Sequence, residues 1–217
     1  MTLREYLEGC YPQMMHAVRK PVFREEITAL DVFEIEDISP EKKKASQQSS
    51  ILQKKGEGES VFSNPQQYKV YIIDFESYID SFKKGSRASE GEKCDFILSD
   101  LETQSWIVLN ELSTGQSEYL AKKEKKARLQ FDSTIAKLSL DKNTPRPFLS
   151  QFTYKVALLS YRFASSEGES LVAKSRDAFS KPSLIAGNIT LERYLPEGFV
   201  MVQCIYPAPF ELSFSQQ

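Results

Sequence analysis

Two short runs constrain this chain most: Lys93-Cys94-Asp95-Phe96-Ile97-Leu98, and Trp106-Ile107-Val108-Leu109-Asn110-Glu111-Leu112-Ser113. Both are rich in β-branched and aromatic residues, and a polar turn from Ser99 to Ser105 joins them. That pattern predicts an antiparallel hairpin. Side chains alternate along a strand, so Lys93 and Asp95 share one face, and Glu111 and Ser113 share another. In a hairpin, Asp95 near the start of one strand meets the far end of its partner, where Glu111 lies. Burying a carboxylate costs several kcal/mol unless something compensates. Two carboxylates brought together need a cation, a proton or hydrogen-bond donors.

The flanking segments supply the rest of a fold. Thr2 and Glu5 match a capping box, which predicts a short helix from Leu3 to near Gly9. A further helical or loop segment runs to Lys20 and stops at Pro21. Leu30 to Glu36 alternates in part and reads as a strand. Residues 39–60 carry Glu-Lys-Lys-Lys and Ser-Gln-Gln-Ser-Ser, too little apolar area to offset ordering entropy, and predict a mobile loop. Tyr68 to Phe75 reads as a strand, and Glu76 to Lys84 as a short helix.

Ser117 to about Leu138 reads as a long helix, with Leu120, Ala127, Phe131, Ile135 and Leu138 on one stripe. Lys122, Lys123, Lys125, Lys126 and Lys137 are placed mostly off it. Tyr154 to Phe163 is a largely apolar strand suited to a covered sheet. A polar loop at 165–170, a helix at Leu171 to Phe179, and a last strand at Phe199 to Tyr206 complete the reading. Three strands, a helix and a strand imply a crossover connection. The expected fold is therefore α/β, a mixed central sheet flanked by helices, in one domain spanning residues 1–217 with its core at 68–163.

Composition excludes several classes. The chain has 217 residues, 41% hydrophobic and 27% charged, with a formal net charge of −2. A near-neutral total leaves any polyanion binding to a local patch. Cys10, Cys94 and Cys204 are widely spaced with no CxxC pair, which argues against a zinc site or a disulfide framework. His16 stands alone, and a structural or exposed role fits it best. No apolar run approaches the roughly 18 residues of a membrane span, and the first residues lack a signal-peptide core. A cytoplasmic protein with no membrane contact is expected. No GxxxxGK[ST] or GxGxxG occurs, and Gly56-Glu57-Gly58 and Glu167-Gly168-Glu169 are too acidic to cradle phosphate.

The carboxylates carry the chemistry. Two hard oxygen ligands, a main-chain carbonyl and waters suit Mg²⁺, or Mn²⁺ in its place. Such an ion activates water and stabilises charge on a phosphodiester. Lys122, Lys123, Lys125 and Lys126 on the following helix are candidates for phosphate-backbone contacts, or simply a solvated helix face.

Asp95, a hairpin, and Glu111-Leu112-Ser113 at the end of Trp106 to Asn110 together resemble the core of the PD-(D/E)XK nuclease superfamily. The helix and strand that follow match that family's element order, over roughly Tyr68 to Phe163. The resemblance implies a restriction-endonuclease-like fold, a metal held by Asp95 and Glu111, and phosphodiester cleavage in DNA or RNA. It also implies a lysine two residues after the glutamate, where this chain has Ser113. A neutral hydroxyl cannot lower the pKa of water as an ammonium does. Lys93, on the face of Asp95, and Lys122 or Lys123, opening the next helix, are candidate replacements. The alternative is a catalytically inactive scaffold of the same fold that binds a protein partner.

Overall fold

The amino-terminal capping box forms as the sequence predicts. Thr2 Oγ1 accepts from the Glu5 amide at 3.1 Å, and the Glu5 carboxylate accepts from the Thr2 amide at 2.7 Å. In the computed structural model, which describes residues 1–17, 20–36, 50–164 and 188–214 (backbone alone for 117 and 188–194), this cap opens a helical arm. The arm consists of α1 (Leu3–Glu5), a π-turn at Tyr6–Cys10 and α2 (Tyr11–Met14). It buries Leu3, Tyr6, Leu7 and Tyr11. The Tyr6 hydroxyl donates to the Lys137 carbonyl at 3.0 Å, and that of Tyr11 to the Ala88 carbonyl at 2.7 Å. Each ring thus adds apolar area while its polar tip stays bonded.

The elements that follow are β1 (Glu25–Thr28), β2 (Val32–Ile35), β3 (Leu52–Gln53), β4 (Ser60–Ser63), β5 (Val70–Asp74) and α3 (Phe75–Asp80). The hairpin strands are β6 (Phe96–Asp100) and β7 (Trp106–Gly115), and α4 spans Leu120–Leu138. The chain ends with β8 (Tyr154–Phe163), β9 (Asn188–Tyr194), β10 (Val200–Ile205) and β11 (Phe210–Glu211). One sheet of seven strands has the order β1-β5-β6-β7-β8-β10-β9, and a second of four has the order β11-β4-β2-β3. β5, β6 and β7 form an antiparallel meander, while β8 runs parallel to β7 after the α4 crossover. Both sheets are mixed, and the fold is α/β.

Three layers result. Ile97, Ile107, Leu109, Ala157, Leu159 and Met201 face the helices, packed with Ala127, Phe131, Ile135 and Leu138 of α4. The intervening residues Phe96, Leu98, Trp106, Val108 and Leu158 face the small sheet, against Phe33, Ile35, Phe62 and Phe210. A strand covered on both faces must be apolar at consecutive positions, which explains the unbroken runs in β6, β7 and β8. A polar thread crosses the inter-sheet core: Ser60 Oγ lies 2.7 Å from Ser160 Oγ, which accepts from Asn110 Nδ2 at 2.9 Å.

The loop expectation for 39–60 does not extend over its second half. Leu52–Gln53 pairs with β2, and Ile51 is fully buried. The Glu34 carboxylate accepts from the Gly56 amide at 2.8 Å and the Gly58 amide at 2.9 Å. A Cβ on Gly58 would come within 2.6 Å of Glu34 Cβ, so only glycine permits this wrap. An anchoring carboxylate distant in sequence orders a stretch whose own composition is polar. Residues 39–49, and the loop and helix expected at 165–179, lie outside the described residues. Among the described residues, no helix is long and apolar enough to cross a membrane.

Candidate functional site

Strand register brings Asp95 and Glu111 together. Phe96 pairs with Asn110 across β6 and β7, so the next step outward sets Asp95 opposite Glu111. Both carboxylates follow the alternation of Ile97, Ile107 and Leu109 and lie on the α4 side of the sheet. The backbone ladder does not continue to that pair. Instead, Asp95 Oδ2 accepts from the Leu112 amide at 2.7 Å. The Asp95 carbonyl accepts from the amides of Phe75 at 2.8 Å and Glu76 at 3.2 Å, which docks the first turn of α3 on the site.

α3 is itself held at its start. Asp74 Oδ1 caps the Ser77 amide at 2.8 Å, and Asp74 Oδ2 pairs with Arg24 Nη1 at 2.9 Å. This arrangement brings Glu76, half-buried, toward the pair as a third carboxylate. Among the described residues, no group of three or more His, Cys, Asp or Glu side chains is placed to hold a metal ion as a ready cage.

Three residues of α4 fasten the segment ahead of Asp95. Gln130 Nε2 donates to the Lys93 carbonyl at 3.0 Å, Thr134 Oγ1 accepts from the Cys94 amide at 3.0 Å, and Lys137 Nζ donates to the Glu92 carbonyl at 3.1 Å. Their spacing puts them on one flank of the helix. Lys137, expected on the solvated side, is therefore buried, and burial lowers its pKa. Thr134→Val keeps the shape and strands the Cys94 amide. The expected cost is about 1–3 kcal/mol, read as a lower urea midpoint at unchanged slope.

Glu111 is the electrostatic centre. It is 7% exposed, and among the described residues its Oε2 has no hydrogen-bond partner. Burial, the neighbouring Asp95 charge and, more weakly, Glu76 push its pKa up to about 9; a hydrogen bond from Gln130 and the positive charge of Lys126 pull the other way. Gln130 Oε1 is likewise buried without a partner among the described residues. Two orphaned acceptors beside a carboxylate pair leave room for one shared proton, donor or cation.

The other sequence candidates separate. Ser113 is 9% exposed and stands beside Tyr161 in the β7–β8 register. Lys93 forms an ion pair with Asp80 of α3. Lys122, Lys125 and Lys126 are exposed and Lys123 is half-buried. Of these four, Lys126 is the one whose charge bears most on Glu111. Trp106 is fully buried in the core, and His16 is exposed.

Sequence reasoning missed Glu76 and Gln130. Glu76 gave no local signal, because its approach depends on α3 docking onto Asp95. Gln130 did give one, since it falls among apolar positions of α4, where a polar side chain needs a partner. No protein-family model matches this chain, and neither does any curated protein or solved structure.

Proposed function

We propose that this chain is a divalent-cation-dependent phosphodiesterase domain of restriction-endonuclease-like fold, acting on DNA or RNA. The observation that carries this reading is the opposed pair Asp95 and Glu111, with a buried Glu111 oxygen that has no hydrogen-bond partner among the described residues. The donor set is all oxygen, which suits Mg²⁺ or Mn²⁺, ions that keep several waters and need one or two carboxylates. Asp95 and Glu111 would hold the ion. When bound, it supplies charge to the scissile phosphate and acidifies a coordinated water.

The chain's own residues do the rest. The Leu112 amide fixes the orientation of the Asp95 carboxylate, and Gln130 favours the ionised form of Glu111. Lys126 supplies the positive charge that Ser113 lacks, from the flank of α4 instead of the strand. Half-buried Asp95 and Glu76 form the more accessible rim, and Glu111 lies beneath.

A second reading has its own support. Ser113 is neutral, Lys93 is engaged by Asp80, and one Asp95 oxygen is already bonded by a backbone amide. These features suit an inactive scaffold that binds a protein partner. The test is Mg²⁺- or Mn²⁺-dependent cleavage of single- and double-stranded DNA and RNA, with Glu111→Ala as control. Cleavage lost in the variant supports the site. Cleavage that survives refutes it, and a wild-type protein that never cleaves favours the scaffold.

A further inference from the structure

The flank of α4 that borders Glu111 also presents an exposed aromatic ring. Tyr119 is 48% exposed just before the helix, and Leu129 is 57% exposed nearly three turns on. Tyr119, Lys122, Lys126 and Gln130 follow at spacings of three, four and four, so they share one stripe of the helix surface. Gln130 ends that stripe at the segment entering Asp95, where its Nε2 donates to the Lys93 carbonyl at 3.0 Å. Lys125 points to another face, and Lys123 turns toward the sheet and is half-buried. The exposed Glu118 beside Tyr119 reduces the local positive charge without cancelling it.

We infer that this stripe, with Tyr119 as a stacking platform and Lys122 and Lys126 as phosphate contacts, binds single-stranded nucleic acid and leads it to Asp95 and Glu111. The inference rests on the phosphodiesterase reading and narrows its substrate. Duplex bases are stacked on each other and have no free face for a lone tyrosine. An unpaired base does, and stacking on an aromatic ring is tolerant of sequence. Two lysines one helical turn apart track a flexible backbone, and positive charge on an otherwise near-neutral protein complements a polyanion.

The test is fluorescence anisotropy in EDTA, with labelled oligothymidylate and oligouridylate of about 20 nucleotides and a mixed-sequence duplex of the same length. Single strands should bind more tightly than the duplex. Tyr119→Ala should weaken single-strand binding about tenfold, while Tyr119→Phe retains it. Lys122→Ala should reduce the slope of log affinity against log salt by about 0.7. The two arms distinguish DNA from RNA. Tyr119 is largely exposed, and circular dichroism verifies that the variants fold.

Equal binding to duplex, loss of affinity in Tyr119→Phe as large as in Tyr119→Ala, or no effect of Tyr119→Ala overturns the inference. So does competition by polyglutamate equal to that by oligothymidylate, which would mark charge alone. Cleavage with binding insensitive to Tyr119 sinks this surface and leaves the active-site reading standing. Tyr119-dependent binding without cleavage does the reverse.

Discussion

Across pH 5 to 9, the cation-free protein should lose stability, and Glu111→Gln should remove most of that loss. An unfolded glutamate gives up its proton near its ordinary value of 4.5, whereas folded Glu111 holds its proton up to about 9. Between those values the native state binds more protons than the unfolded state. Stability therefore falls as pH rises, by up to about 1.4 kcal/mol per pH unit from this one group. The total is on the order of several kcal/mol, a large part of what a domain of this size holds. The stabilising contribution is complete below the unfolded pKa and gone above the folded one.

The comparison with Glu111→Gln isolates this residue from other titrations. Buried Lys137 has a lowered pKa, so it adds stability as pH rises toward the alkaline end. Cys94, raised by burial, and Cys204, pushed up to about 12, act in the opposite sense at higher pH still. Urea unfolding of both proteins at four or five pH values gives the two slopes. Parallel slopes would mean that Glu111 titrates as it does in water, and the electrostatic account of the site would fail.

The second large effect is on cleavage. Glu111→Ala and Asp95→Asn should each reduce Mg²⁺-dependent turnover by about a thousandfold or more, since each removes a charge that acts at the transition state. Lys126→Ala should slow it by about a hundredfold, as expected for the loss of a positive charge that stabilises the transition state. Cation binding should also be linked to the Glu111 proton. Both carboxylates must be ionised to hold the ion, so binding releases a proton and apparent affinity should rise up to about tenfold per pH unit below 9. Calorimetry in buffers of different ionisation enthalpy measures that proton directly. A pH-independent affinity with no proton released would place the ion elsewhere.

Lys93 and Lys126 show how partners from other elements set the charge balance around the carboxylates. Lys93 is two residues from Asp95 and shares its face by alternation, yet Asp80 on α3 claims its ammonium. Lys126 is fifteen residues beyond Glu111 in sequence, yet from α4 its charge acts to lower the Glu111 pKa. Which cation serves an acidic site depends on competing partners, and those partners come from other elements.

Local chemistry alone made several features of this protein readable. The capping box at Thr2, the hairpin of β6 and β7, the long helix α4 and the apolar strand β8 all follow from periodicity and turn signals. So does the opposition of Asp95 and Glu111, because a register between neighbouring strands is set within a few residues of their turn. Tertiary structure decided the remainder. The four-stranded sheet rests on strands too short to carry a pattern, such as Leu52–Gln53 and Phe210–Glu211, which exist only by pairing with distant partners. β1 reads Glu-Glu-Ile-Thr and becomes a strand through β5. The clamp of Gln130, Thr134 and Lys137, the approach of Glu76 and the proton held on Glu111 all depend on burial. Burial is a property of the packed layers and is absent from any one segment, so no local window of the chain contained it.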